Sequence, residues 1–182
     1  MNNLYKSNCK KIAIIGCAGS GKTTLALHLK KKFQLPIYHL DQYFWKPNWQ
    51  RPNIEEFIQT HNELCEQDEW IIDGIYIRFL FPRMYHADMI IFLDLPRYNC
   101  MWNIFKRLIF YYGKVRPDSA DNCPERFDIG FLKWVWNFNK RYRNNILNLL
   151  NEFKIDKQIY IFRSIKEINL FIEQLHFTQK EK

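Results

Sequence analysis

Five short runs of consecutive apolar residues punctuate the chain, at residues 11–15, 36–41, 70–74, 89–96 and 158–162. Runs of this length, rich in isoleucine and without polar alternation, predict parallel strands covered on both faces. Between them the apolar period lengthens. Leu25, Leu29 and Phe33 recur at four-residue steps and predict a helix over 23–33. Asn53 followed by Glu56 forms a capping box ahead of a second helix, whose apolar face is Ile54, Phe57, Ile58, His61, Leu64 and Cys65. On that face His61 reads as a packed histidine. A closing helix is expected over 165–175. The stretch 42–52 clusters aromatics between Pro47 and Pro52 and predicts a loop.

Strands alternating with helices predict a three-layer α/β fold, in which ligands bind at the carboxyl ends of the strands. An insertion at about 97–155 separates the fourth and fifth strands. Its helix over 99–112 carries Trp102, Phe105, Leu108 and Ile109, and its helix over 127–153 carries Phe131, Trp134, Val135, Phe138 and Tyr142. The polar loop between them, 113–126, is placed to act as a lid. The aromatic stripe of the second helix has core spacing and reads as packing. Lys140, Arg141 and Arg143 read as a solvated face. One domain spanning 1–182, with this lid-like insertion, is the expected organisation.

Composition narrows the picture. With 182 residues the chain can bury roughly 70% of its unfolded surface and needs no disulfide or metal staple. The net charge of +8 favours polyanionic partners without choosing among nucleotides, nucleic acid and anionic membrane. Five cysteines without a C-x-x-C pair point to a reducing compartment and away from structural zinc. The polar leader MNNLYKSNCKK has no signal-peptide character, and no apolar run is long enough to span a bilayer, so a cytoplasmic location is expected.

The strongest chemical signal is Gly16-Cys17-Ala18-Gly19-Ser20-Gly21-Lys22-Thr23, which fits G-x-x-x-x-G-K-[ST] between a strand and a helix. Glycines let successive N–H groups face one anion, and the helix start adds partial positive charge. Gly16, Ala18, Gly19, Ser20, Gly21, Lys22, Thr23 and Thr24 are therefore the expected ATP cradle. Lys22 is expected on the β- and γ-phosphates and Thr23 on Mg²⁺. Cys17 reads as a small tolerated residue. Lys30, Lys31 and Lys32 read as a cationic helix end that complements the macrodipole.

Further strings occur in order: Leu40-Asp41, Trp70-Ile71-Ile72-Asp73-Gly74, Leu93-Asp94-Leu95-Pro96, Arg116-Pro117-Asp118, Cys123-Pro124-Glu125-Arg126-Phe127 and Trp134-Val135-Trp136-Asn137-Phe138. Over about residues 10–172 the set resembles the bacterial DNA topology modulation protein family, which is similar to adenylate kinase and other small P-loop kinases. The resemblance implies a five-stranded sheet of order 2-3-1-4-5 and an arginine-bearing lid after strand four. Where nucleoside monophosphate kinases continue Asp-Gly with Phe-Pro-Arg, this chain reads Ile75-Tyr76-Ile77-Arg78, which argues against AMP as the acceptor. Asp41-Gln42-Tyr43-Phe44 looks more like kinases that phosphorylate a hydroxyl.

These likenesses imply roles. Asp41 would orient or deprotonate the acceptor hydroxyl. Arg78 and Arg83 would hold an acceptor anion, with a surface role equally open for Arg83. Arg107 and Arg116 would stabilise charge on the transferred phosphoryl group, with Arg126 a further candidate. Two acids compete for the Mg²⁺ side: apolar pattern favours Asp94, whereas strand order favours Asp73, the preferred choice. The implied activity is phosphoryl transfer from ATP to a small molecule: a nucleotide, nucleoside or related metabolite. Two alternatives stand beside it, a nucleic-acid-associated ATPase that influences DNA topology and a nucleotide-binding regulator without turnover. No nucleic-acid-binding motif is visible.

Overall fold

A computed structural model describes residues 9–177; the first eight residues of the polar leader lie outside that range. The order is β1 (Lys11–Gly16), α1 (Lys22–Phe33), β2 (Ile37–His39), α2 (Leu40–Phe44), α3 (Ile54–Glu66), β3 (Trp70–Asp73), α4 (Leu80–His86), β4 (Met89–Leu93), α5 (Arg97–Tyr111), α6 (Ile129–Glu152), β5 (Gln158–Phe162) and α7 (Ile165–Phe177). Short 3₁₀ turns occupy Pro47–Trp49 and Ile77–Phe79. The five strands form one parallel sheet of order β2-β3-β1-β4-β5, with helices on both sides. The expected sheet order is the observed one.

β1 is central, between β3 and β4, and Ile12–Ile15 is wholly buried. That explains its unbroken apolar run. Only positions covered on both faces need be apolar at every residue. α1 packs on β1, β2 and β3 and against α7, while α3 and α4 pack together and α4 reaches β1. α5 and α6 pair as the two arms of the insertion.

The second strand is shorter than the expected 36–41. β2 pairs with β3 only as far as His39 opposite Asp73. Beyond that point β3 leaves the sheet through Gly74, at φ +127°, and no ladder partner remains. Leu40 is buried against Gly74, and Asp41 falls in the first turn of α2. The expected loop 42–52 thus holds the end of α2 and one 3₁₀ turn.

The insertion helices shift at their ends. α5 opens at Arg97, two residues early, because Pro96 supplies a pre-set φ at its cap. α6 opens at Ile129, two residues late, because the Asp128 carboxylate accepts from the Phe131 N–H at 2.9 Å. Asn53 caps α3 by accepting from the Glu55 N–H at 2.8 Å. Glu56, the other half of the capping box, instead takes the Lys46 ammonium at 3.0 Å.

Candidate active site

Three elements meet at the carboxyl end of the sheet: the loop between β1 and α1, the β2–α2 and β3 ends, and the lid loop between α5 and α6. The first loop is shaped by its neighbours. A Cβ on Gly19, at φ +76°, would lie 2.4 Å from the Cys100 carbonyl oxygen on α5, and one on Gly16 would lie 2.9 Å from the Leu93 carbonyl oxygen. Gly21 has open space around it but sits at φ +92°, where it caps α1 without a side chain. The Asn103 amide donates to the Gly19 carbonyl at 2.8 Å and fixes the loop to α5. Cys17 is buried beneath the loop, its thiol 3.9 Å from the Val135 carbonyl on α6.

The loop's polar groups face inward. Lys22 Nζ donates to the Cys17 carbonyl across the loop at 2.8 Å. The Ser20 hydroxyl is buried and without a partner among the described residues. Ala18 is half-buried, and Thr24 is exposed on the outer side of the first helical turn. An orphaned hydroxyl in a loop whose glycines sit at positive φ suits an anionic ligand that brings its own acceptors.

Thr23 Oγ1 lies within reach of two carboxylates, Asp73 Oδ2 at 3.2 Å and Asp118 Oδ2 at 3.0 Å. Asp94 lies elsewhere. Its two oxygens accept from Arg143 at 2.7 and 2.9 Å, with Arg163 at 3.8 Å. Arg143 is therefore half-buried in an ion pair, and the solvated reading holds only for its exposed neighbours Lys140 and Arg141. Asp73 is buried and its second oxygen holds His39 Nδ1 at 2.8 Å. Burial alone would depress the His39 imidazole, but the Asp73 carboxylate outweighs it, and the pKa rises above the ordinary histidine value.

On the other side of the opening, the Tyr76 hydroxyl donates to Asp41 Oδ1 at 2.7 Å. Burial pushes the Asp41 carboxyl above the usual carboxylate range, against the opposing pull of the Tyr76 hydrogen bond and the Lys22 charge. Asp73 and Arg116 also act on Asp41, so all three regions share one field. Aromatic rings back this corner, with Phe44 4.6 Å from Tyr76 and 4.9 Å from Phe57 between centroids. Arg78 is exposed on the 3₁₀ turn after β3. Arg83 is neither at the surface nor open to a ligand. It is wholly buried, with one guanidinium nitrogen donating to the Gly74 carbonyl at 2.9 Å, and burial depresses its pKa to about 10.

The loop between α5 and α6 touches both sides, through Asp118 at Thr23 and Pro117 at Gln42. Arg116 chelates Asp118 with 2.7 Å contacts to both oxygens, and its Nε donates to Glu125 at 3.0 Å. Arg107 pairs with the other Glu125 oxygen at 2.7 Å. Burial would raise the Asp118 carboxyl, yet the Arg116 charge holds it below its ordinary value. Several contacts fasten this loop to the region after β2, among them the Trp49 N–H to the Cys123 sulfur at 3.4 Å. Gln42 donates to the Pro117 carbonyl at 2.8 Å and the Trp49 indole to the Pro124 carbonyl at 2.9 Å. The Asn48 N–H reaches the Asn122 carbonyl at 3.0 Å, and the Cys123 thiol the Lys46 carbonyl at 3.3 Å. Arg126 lies outside this cluster, exposed over the Trp49 ring and 3.9 Å from Asp128.

With this geometry in view the likeness to known proteins can be weighed. No protein-family model matches the chain. It is 28% identical over 170 residues to deoxyadenosine kinase of Dictyostelium discoideum, covering 82% of this chain and 69% of the relative. Deoxyadenosine kinase from M. mycoides, in a structure with its products dCMP and a flexible dCDP, superposes with a TM-score of 0.52 at 16% identity. That superposition covers 94% of this chain and 98% of the other and shows a shared fold. The likeness in sequence supports a small P-loop kinase.

His39, Tyr76, Asp118 and Glu125 are the members of this cluster that sequence reasoning does not assign. Arg116-Pro117-Asp118 carried a signal, a cation two residues from an acid in a loop already suspected as a lid. Glu125 and Tyr76 sit inside quoted strings, Cys123-Pro124-Glu125-Arg126-Phe127 and Ile75-Tyr76-Ile77-Arg78, but nothing local marks their partners; His39 has no signal. Among the described residues, no group of three or more His, Cys, Asp or Glu forms a metal cage. No helix of the described residues is long and apolar enough to cross a membrane.

Proposed function

We propose that this protein is an ATP- and Mg²⁺-dependent kinase that transfers the γ-phosphoryl group to a hydroxyl of a small molecule, with a nucleoside as the acceptor class. The observation that carries this reading is the convergence on Asp41, a carboxyl raised by burial that lies in the field of Lys22, Asp73 and Arg116. The Tyr76 hydroxyl holds Asp41 at 2.7 Å, which positions a carboxyl for an acceptor hydroxyl beside the loop. The similarity to a deoxyadenosine kinase favours a nucleoside over the nucleotide alternative.

In this reading the loop amides from Gly16 to Thr24 bind the triphosphate and Lys22 moves from the Cys17 carbonyl to its terminal phosphates. Thr23 and Asp73 are the residues that would hold Mg²⁺, which supplies charge neutralisation when bound. Tyr76 orients Asp41, and Asp41 accepts the proton that the acceptor hydroxyl loses as its oxygen bonds to phosphorus. Arg116 and Arg107, held by Glu125, present their charge to the phosphoryl group from the lid. Arg78, exposed beside the Tyr76 turn, would contact the acceptor; Arg83 supports that turn through Gly74.

ADP release in the presence of ATP and Mg²⁺ tests the proposal, measured across a panel of ribo- and deoxynucleosides and nucleotides. Release dependent on a nucleoside is the expected result. Release that depends on a nucleotide alone corrects the acceptor class. Stimulation by duplex DNA, weakening steeply with salt, would instead favour the topology-related ATPase that the family resemblance allows.

A further inference from the structure

β2 and β3 finish on a facing pair. Their ladder closes with His39 opposite Asp73, so both side chains leave the sheet on the same side. The pair is mostly buried, with side chains 14% and 6% exposed, and His39 Nδ1 lies 2.8 Å from Asp73 Oδ1. The other oxygen, Asp73 Oδ2, faces the Thr23 hydroxyl at 3.2 Å. One carboxylate thus links the last residue of β2 to the first turn of α1. The reaction proposed above uses Asp73 and Thr23 and leaves His39 without a task.

We infer that His39 is a positioning residue, whose Nδ1–H pins Asp73 Oδ1 and keeps Oδ2 turned to Thr23, where Mg²⁺ would be held. The inference rests on the kinase reading above and adds a residue to it.

The physical need is rotational. The terminal torsion of an aspartate is soft and two-fold, so a carboxylate with one partner does not keep one oxygen in one place. The Thr23 hydroxyl is a weak anchor for it. That hydroxyl has a single proton, and Asp118 Oδ2 lies 3.0 Å away as a second acceptor. The imidazole gives the far oxygen a donor of its own, on a residue fixed at the end of a paired strand. A carboxylate that holds a cation must accept, so Nδ1 is the donor. The neutral ring can donate from Nδ1 as the protonated ring does, so the role does not depend on the charge of His39. Groups that orient a metal-binding carboxylate in this way carry roughly 10–100-fold in metal affinity.

Calorimetry with a non-hydrolysable ATP analogue tests this on the full chain without turnover. The quantity read is the gain in analogue affinity that Mg²⁺ brings. His39→Leu and His39→Ala should cut that gain by roughly 10-fold or more, and leave the metal-free affinity and the circular dichroism of the wild type. His39→Asn, whose amide can donate from nearly the same place, should keep most of it. The half-saturating Mg²⁺ for nucleoside-dependent ADP release should rise in step, with the KM for the nucleoside unchanged. The wild type supplies a readout that needs no variant to fold: nitrogen-15 shifts should show His39 Nδ1 carrying its proton in the complex with the analogue and Mg²⁺. A gain that survives in the leucine and alanine variants, an asparagine variant as impaired as they are, or a bare Nδ1 overturns the role of His39 and leaves the kinase reading standing. A wild type whose analogue affinity is indifferent to Mg²⁺ overturns both this role and the Mg²⁺ dependence proposed above.

Discussion

Asp41 is a carboxyl that burial drives toward its neutral form while a tyrosine hydroxyl and a lysine pull it back. In the proposed reaction its ionised form takes the acceptor's proton. Asp41→Asn should lower acceptor-dependent ADP release by roughly 10²–10⁴-fold, the range for a lost general base, and leave ATP affinity near the wild-type value. It should also remove the acid limb of the pH–rate profile, because activity that needs the ionised form is lost as pH falls through its raised pKa. His61 behaves differently. It is wholly buried among Phe57, Phe79 and Cys65, and burial depresses its imidazole to about 4. The unfolded chain binds that proton near the ordinary histidine value of about 6.5. Stability from His61 is therefore complete above about 6.5 and drains as pH falls toward 4, up to ~3 kcal/mol in all. Urea titrations across that window should show the loss in wild type and a flatter profile in His61→Leu.

At the scale of elements, the phosphate loop is held by the insertion as much as by its own glycines. Gly19 touches the Cys100 carbonyl and its own carbonyl takes the Asn103 amide. Gly19→Ala would force a Cβ to 2.4 Å from the backbone of α5 at a positive φ. The loop or the helix must shift, at a cost of about 1–3 kcal/mol, and calorimetry should find nucleotide binding lost. The lid has its own keystone. Glu125 is buried between Arg107 and Arg116. Glu125→Gln leaves both cations short of a counter-charge and should destabilise the protein by about 3 kcal/mol in urea unfolding. Arg116→Ala should reduce turnover by about 10³-fold while ATP binding changes far less, as expected of a group that meets charge only during transfer.

At the scale of the whole molecule, the three regions of the site belong to segments far apart in the chain, and the ligand is expected to bind them together. Saturating ATP with Mg²⁺ at 100 times its Kd should raise stability by about 2.7 kcal/mol and the melting temperature with it. Thr23→Val should weaken the gain that Mg²⁺ adds, in thermal melts with and without the metal. What could be read from the chain divides along the same scales. The apolar runs at 11–15, 70–74 and 89–96 announced strands because both faces of a central parallel strand are covered, and the glycine-rich loop announced its position between a strand and a helix. Those signals are local, and sequence holds local information fully. The length of β2 was not local: it depended on where β3 turned away at Gly74. Arg83, twelve residues from Ile71 along the chain, read equally as a surface group, and only the packing of α4 shows it in the core. The choice between Asp73 and Asp94 for the neighbour of Thr23, and the entry of Asp118 beside it, required strands and a lid brought together in space. The sequence alone determined that a phosphate loop sits on a parallel α/β sheet, because hydrophobic period and glycine conformation act over a few residues. Which carboxylates face that loop, and which arginines are spent on ion pairs, was decided only by the tertiary structure, because electrostatic partnership follows distance in space rather than distance along the chain.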